Sequence, residues 1–170
     1  MRREDRSVSE AAGTILLRNL ADTEGNRILK KGVRLSEDHV GKLADHGHTT
    51  VEVAVLEADD VHEDAAAAEI ALALQTEGLV LSRPTGGRVN LRAVADGLLA
   101  VEADRLLQMN MLPGITLATR RQHALVGPGQ DTDNVGTLKI IPFAVKRGDL
   151  ETALTLANSQ PSIVRLRRIP

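Results

Sequence analysis

The chain has 170 residues, 42% apolar, 26% charged and 1% aromatic, and its 21 Lys and Arg against 23 Asp and Glu give a net charge of -2. It has no cysteine, which excludes a disulfide scaffold, a thiolate nucleophile and any cysteine-ligated metal. The charge balance argues against a nucleic-acid partner, and a lone Phe143 with no Trp or Tyr leaves almost no platform for stacking bases.

In chain order, Gly13-Thr14-Ile15-Leu16-Leu17 reads as a short strand, and the turn-rich Asp22-Thr23-Glu24-Gly25-Asn26 returns the chain into a second strand, Arg27-Ile28-Leu29-Lys30. Ser36 can cap a helix whose first turn carries Glu37 and Asp38, with Gly47 as its stop. Residues 49–56 alternate around Val51, Val53 and Val55, the pattern of a half-buried strand. An acidic stretch, 57–64, leads into an alanine-rich helix expected to run to about Glu77. Leu79-Val80-Leu81 is a buried strand, Pro84-Thr85-Gly86-Gly87 a turn, and 88–94 an alternating strand. Asp96-Gly97 signals a hairpin joining that strand to 98–101, with Gly97 at positive φ. A helix at 103–109 and a strand at 115–119 follow, then a loop at 127–131. Residues 135–145 read as a strand in which Pro142 marks an edge or a bulge. Asp149 caps a last helix with Leu150, Ala153, Leu154 and Ala157 on one face, and 163–168 is a final short strand or a linker. No internal repeat shows in the sequence.

The chemistry-bearing residues are few. His46 and His48 could share a metal, but no third ligand is identifiable, so a solvated turn is the reading. His62-Glu63-Asp64 is better explained as a helix cap with favourable dipole charges than as a metal or base. The glycines before Arg88 lack a P-loop ending and precede a strand rather than a helix. Thr119, Arg120 and Arg121 follow a strand, where ligands are often held, and two guanidinium groups can grip an anion; an exposed solvated pair is an equal reading. Lys139 joins them if its strand pairs with 115–119. No serine sits in a Gly-x-Ser-x-Gly setting, and Asp59-Asp60 and Asp131/Asp133 read as solvated acidic loops. The basic start lacks an apolar signal region, and the apolar run 65–74, broken by Glu69, is too short to cross a bilayer. A cytoplasmic setting without membrane or nucleic acid is expected, with no catalytic or metal residue to assign.

One set of motifs, in order, carries a resemblance. The chain has His62-Glu63-Asp64 with Ala66, Gly87-Arg88-Val89-Asn90-Leu91, Asp96-Gly97-Leu98-Leu99, Leu106 through Asn110, Ala118-Thr119, and Gly136-Thr137-Leu138-Lys139-Ile140-Ile141-Pro142. This resembles the N-terminal region of bacterial molybdopterin-binding proteins related to molybdopterin molybdenumtransferase, and 13–56 is similar to the start of that region. In that family a C-terminal α/β domain carries the pterin-binding motifs, and this sequence stops where it would begin. The resemblance implies a link to molybdenum cofactor biosynthesis and dimerisation. It implies an accessory domain without catalysis of its own, whose partner is a C-terminal molybdopterin-binding domain. No cofactor is expected in this chain, molybdopterin being implied only through the family. Asn90 and Asn110, from the shared motifs, join Thr119, Arg120, Arg121 and Lys139 as candidate ligand contacts. The alternative is an independent module that binds a small anion or a protein.

The expected fold class is α+β. A small β-rich N-terminal unit spans 1–57, a mixed unit with an antiparallel hairpin and a C-terminal helix spans 58–160, and 161–170 is a linker or final strand.

Overall fold

The computed structural model describes residues 1–129 and 133–168. The fold is α+β, with four helices and mostly antiparallel strands in several small sheets. The chain divides into two compact units, one from Met1 to Asp60 and one beginning at Val61, so the boundary falls after the first residue of a strand, Asp60–His62, that is described with the second unit. The loop expected at 127–131 extends onto residues 130 and 131, and the expected final segment onto 169 and 170; these four lie outside the described residues.

In the first unit, β1 (Arg2–Ser7) pairs antiparallel with β5 (Thr50–Val55), and β2 (Ile15–Leu16) takes the other side of β5. β3 (Leu20–Ala21) and β4 (Arg27–Leu29) form a separate ladder. Asp22 Oδ1 closes their turn by accepting from the Glu24 and Asn26 amides at 2.9 and 2.8 Å. α1 (Glu37–Asp45) starts at Ser36, whose hydroxyl accepts from His39 N at 3.3 Å while His39 Nδ1 accepts from Ser36 N at 3.2 Å. Val8, Leu16, Leu35, Leu43 and Val53 form the core. Strand β1 is absent from the sequence reading because five of its six residues are charged. Its neighbour supplies the counter-charge: Arg3 pairs with Glu52 at 3.0 Å, and Glu52 also accepts from Arg18.

The second unit runs β6 (Asp60–His62), α2 (Glu63–Leu74), β7 (Leu79–Leu81), β8 (Arg88–Ala93), β9 (Gly97–Val101), α3 (Ala103–Asn110), β10 (Ile115–Thr119), β11 (Leu125–Val126), β12 (Asn134–Ile140), β13 (Ala144–Lys146), α4 (Arg147–Asn158) and β14 (Val164–Arg168). Its main sheet has the order β10-β12-β8-β7, antiparallel throughout. A second sheet has the order β11-β9-β14, so residues 164–168, expected as a strand or a linker, form a strand. Alternation puts Val89, Leu91, Ala93, Ile115, Leu117, Leu138 and Ile140 into the core, where α2 packs on β8 and β12.

Three local expectations are corrected. The antiparallel hairpin of this unit is β7–β8, closed by residues 82–87; β8 and β9 do not pair. Asp96-Gly97 is instead the corner at which the chain leaves one sheet for the other. Gly97 has no positive φ, but a Cβ there would lie 2.6 Å from Arg167 O and 2.8 Å from Leu166 Cγ, so close approach of β14 requires it. Pro142 does not mark an edge: it follows the end of β12, a central strand, and separates it from β13. Asp149 is not the cap of α4, which begins at Arg147 behind Lys146; Asp149 lies in the first turn, where its charge favours the dipole.

A repeat invisible in the sequence is present in the backbone. β6 and β13 each have three residues and run straight into the 12-residue helices α2 and α4. The two strands pair, and Glu63 N donates to Phe143 O at 2.8 Å, setting the end of one against the start of the other. The two helices also pack together. Only Val61/Val145, Leu72/Leu156 and Ala73/Ala157 are identical across these fifteen equivalent positions.

Candidate functional site

The polar side chains of interest converge at the β12–β8 end of the main sheet. Helix α2 begins there because His62 caps it, Nδ1 accepting from Asp64 N at 3.2 Å. The next two residues are committed to the turn before β8. Asp64 Oδ1 accepts from Gly87 N at 2.7 Å, and Gly87 O accepts from Ile140 N at 2.8 Å. Gly87 has φ +70°, and a Cβ there would sit 2.8 Å from Glu63 Oε2 and from Ile140 O. A glycine is required because the turn lies flat on a buried carboxylate.

That carboxylate is Glu63, whose side chain is 6% exposed. Lys139 Nζ lies 3.7 Å from its Oε2, is itself 31% exposed, and also donates to Gly86 O. Burial pushes the Glu63 carboxyl above its ordinary value; the Lys139 charge pulls it back only in part, and Asp64 adds to the rise. The half-buried residues Glu4, Asp22 and Glu52 have carboxyls held low, chiefly by Arg6, the Asn26 amide and Arg18.

The face of the sheet away from α2 is polar. Register sets Thr116, Lys139 and Arg88 in one row across β10, β12 and β8, and Ala118, Thr137 and Asn90 in the next. Thr137 Oγ1 donates to Asn90 Oδ1 at 2.8 Å. Arg92 lies one row further and pairs with Asp133 at 3.4 Å.

The sequence-derived candidates separate into three places. Asn90 and Lys139 share this open face. Thr119 and Arg120 line a shallow depression with Asn134, Val135 and Gly136 at the other end of the β10–β12 pair. β10 does pair with β12, but Thr119 lies opposite Gly136 while Lys139 lies opposite Thr116. Thr119 and Lys139 are therefore about 10 Å apart along the strands and of opposite facing parity. Arg120 Nε donates to Asn134 O at 2.9 Å, and Arg121 is exposed. Asn110 works within the fold: its amide donates to Leu117 O at 3.1 Å and accepts from Leu117 N at 2.7 Å, bracketing β10 to the end of α3.

Arg88, Thr116 and Glu63 were not among the sequence-derived contacts. The signal for the first two was their polar parity in alternating strands. For Glu63, nothing in its spacing distinguishes a buried first-turn carboxylate from a solvated one. His46 and His48 each contact a backbone carbonyl, His46 Nδ1 with Lys42 O at 2.8 Å and His48 Nε2 with Ala21 O at 3.0 Å. Among the described residues, the one acidic group close enough to hold an ion is Glu57, Asp59 and Asp60, and the Met1 amino group sits against Glu57 at 2.7 Å and Asp60 at 2.5 Å. No described helix is long and apolar enough to cross a membrane.

Compared with protein-family models, with curated proteins and with solved structures, the chain matches none.

Proposed function

We propose that this chain is an accessory domain of a molybdopterin-binding protein, linked to molybdenum cofactor biosynthesis and working beside a C-terminal pterin-binding domain. One observation carries the reading. Three of the motifs behind the resemblance, separated in sequence, meet in one place: His62-Glu63-Asp64, the Gly87-Arg88 turn and the segment containing Lys139. Motifs that matter only for local structure have no reason to assemble around one buried carboxylate. The domain supplies an ordered polar face and leaves metal insertion to its neighbour; a cytoplasmic homodimer belongs to the same reading.

Deleting the coding region in its host tests this. Molybdoenzyme activity should fall while metal-free molybdopterin persists or accumulates. Unchanged molybdoenzyme activity would overturn the reading. The second reading, an independent anion-binding module, is favoured by the adjacent cations Arg88 and Lys139 and is developed next.

A further inference from the structure

We propose that Arg88 and Lys139, with Thr116 beside them, form a binding site for a phosphate monoester on the open face of the β10-β12-β8-β7 sheet. The proposal rests on these side chains alone and is independent of the family resemblance.

The pair is unusually placed. Ile140 N donates to Gly87 O at 2.8 Å, and Arg88 is in register with Lys139. That bond makes Arg88 and Lys139 the narrow type of antiparallel pair, with Cα atoms about 4.5 Å apart and side chains leaving the same face. Like charges directly opposite one another destabilise a sheet. The next register positions hold no carboxylate: Thr116 lies across the strand, and Asn90 and Thr137 in the next row are bonded to each other. Arg88 is exposed, and its guanidinium has no hydrogen-bond or ion-pair partner among the described residues. Glu63 beside Lys139 relieves this conflict only in part and leaves the Arg88 guanidinium without a counter-charge among the described residues, which marks a place suited to an added anion.

A phosphate monoester resolves the conflict. Its two negative charges match the two cations. Its three free oxygens can take the guanidinium fork, one ammonium N–H and the Thr116 hydroxyl. Lys139 has three N–H donors and directs itself at Gly86 O and Glu63, which leaves one N–H for an added anion. Arg88 and Thr116 are exposed, so the site suits a terminal phosphate presented by a larger molecule. A diester, with one charge and two free oxygens, satisfies only part of it. Glu63, behind Lys139, opposes the anion.

The full chain should be labelled with 15N and titrated at low ionic strength with inorganic phosphate, phenyl phosphate and dimethyl phosphate, following amide shifts. Saturable shifts at Arg88, Thr116 and Lys139 are expected, with phenyl phosphate bound at least as tightly as inorganic phosphate and the diester far more weakly. Arg88→Ala and Lys139→Ala should each weaken binding about tenfold or more, the loss of one charged hydrogen bond. Arg92→Ala, an equal change of charge one row beyond Asn90, should leave the affinity unchanged. Glu63→Gln should tighten binding severalfold. Shifts that do not saturate, equal weakening by Arg92→Ala and Arg88→Ala, or binding of inorganic phosphate alone would each overturn the proposal. None of these outcomes bears on the deletion phenotype, so the two readings fail separately.

Discussion

The starts of α2 and α4 are the same backbone device with different chemistry. Each follows a three-residue strand without a linker, and each helix has 12 residues. At α2 the cap is a histidine ring, the next two side chains are Glu63 and Asp64, and both are held by the Gly86-Gly87 turn and Lys139. At α4 the cap is Lys146, with no side-chain cap bond, and the next residues are Arg147 and Gly148, both exposed. The frame itself therefore needs no buried carboxylate. What α2 adds beyond a helix start is available for function.

Three measurements sharpen that contrast. The largest effect is expected at Gly87. Valine there would meet Glu63 Oε2 and Ile140 O at 2.8 Å from a positive φ, and should cost about 3 kcal/mol or more. A Cβ at Gly148 meets nothing within 4 Å, so Gly148→Ala should change stability by less than about 1 kcal/mol. Urea unfolding of both variants checks the pair; similar midpoints would show that the turn yields and the clamp is not needed.

Asp64→Ala comes next. It removes the acceptor of the Gly87 amide as well as a charge favourable to the helix, and should cost about 1.5 to 3 kcal/mol. Asp149→Ala loses only the dipole term, about 0.5 kcal/mol. If the two variants melt together, the Asp64 bond contributes nothing net.

The smallest effect is a pH slope. Glu63 titrates above its ordinary 4.5, mainly because it is buried. Between 4.5 and the raised value the folded chain binds more protons than the unfolded chain, so stability contributed by Glu63 is complete below 4.5 and is lost as the pH rises through the folded value. The melting temperature of Glu63→Gln minus that of wild type should grow from pH 4 toward neutrality. The lowered carboxyls of Glu4, Asp22 and Glu52 slope the other way at lower pH and cancel in the difference. A flat difference would mean that Lys139 fully compensates the burial.

Elements with strong periodicity were legible in the sequence: β5 from its alternating valines, α1 from Ser36, and α2 from its alanines. β1 was not, since a strand of charged residues carries no hydrophobic period and is stabilised by partners far along the chain. The hairpin was misplaced because Asp96-Gly97 has turn composition, while the small residue answers to a close contact with β14. The repeat was hidden because helix starts tolerate almost any polar residue, so His62-Glu63-Asp64 and Lys146-Arg147-Gly148 serve one backbone. In the site, Lys139 and Asn90 were anticipated as contacts, yet their true neighbours depend on register, which no local pattern encodes. Arg120 and Arg121 looked equivalent, but the structure gives Arg120 a carbonyl partner and leaves Arg121 at the surface.

The closing strand β14 bears on how the protein is made. The first unit is continuous in sequence, and its longest-range pairing, β1 with β5, is complete once Val55 has left the ribosome. The second unit cannot finish so early. β9 lies between β11 and β14, and residues 164–168 must emerge before Gly97 to Val101 gain their second neighbour. Until then β9 keeps an open edge carrying Leu98, Leu99 and Val101, at the stage of synthesis when unpaired strands invite misassembly. β14 thus emerges long after β9, and the second unit exposes an unpaired edge for longer during synthesis than the first unit does.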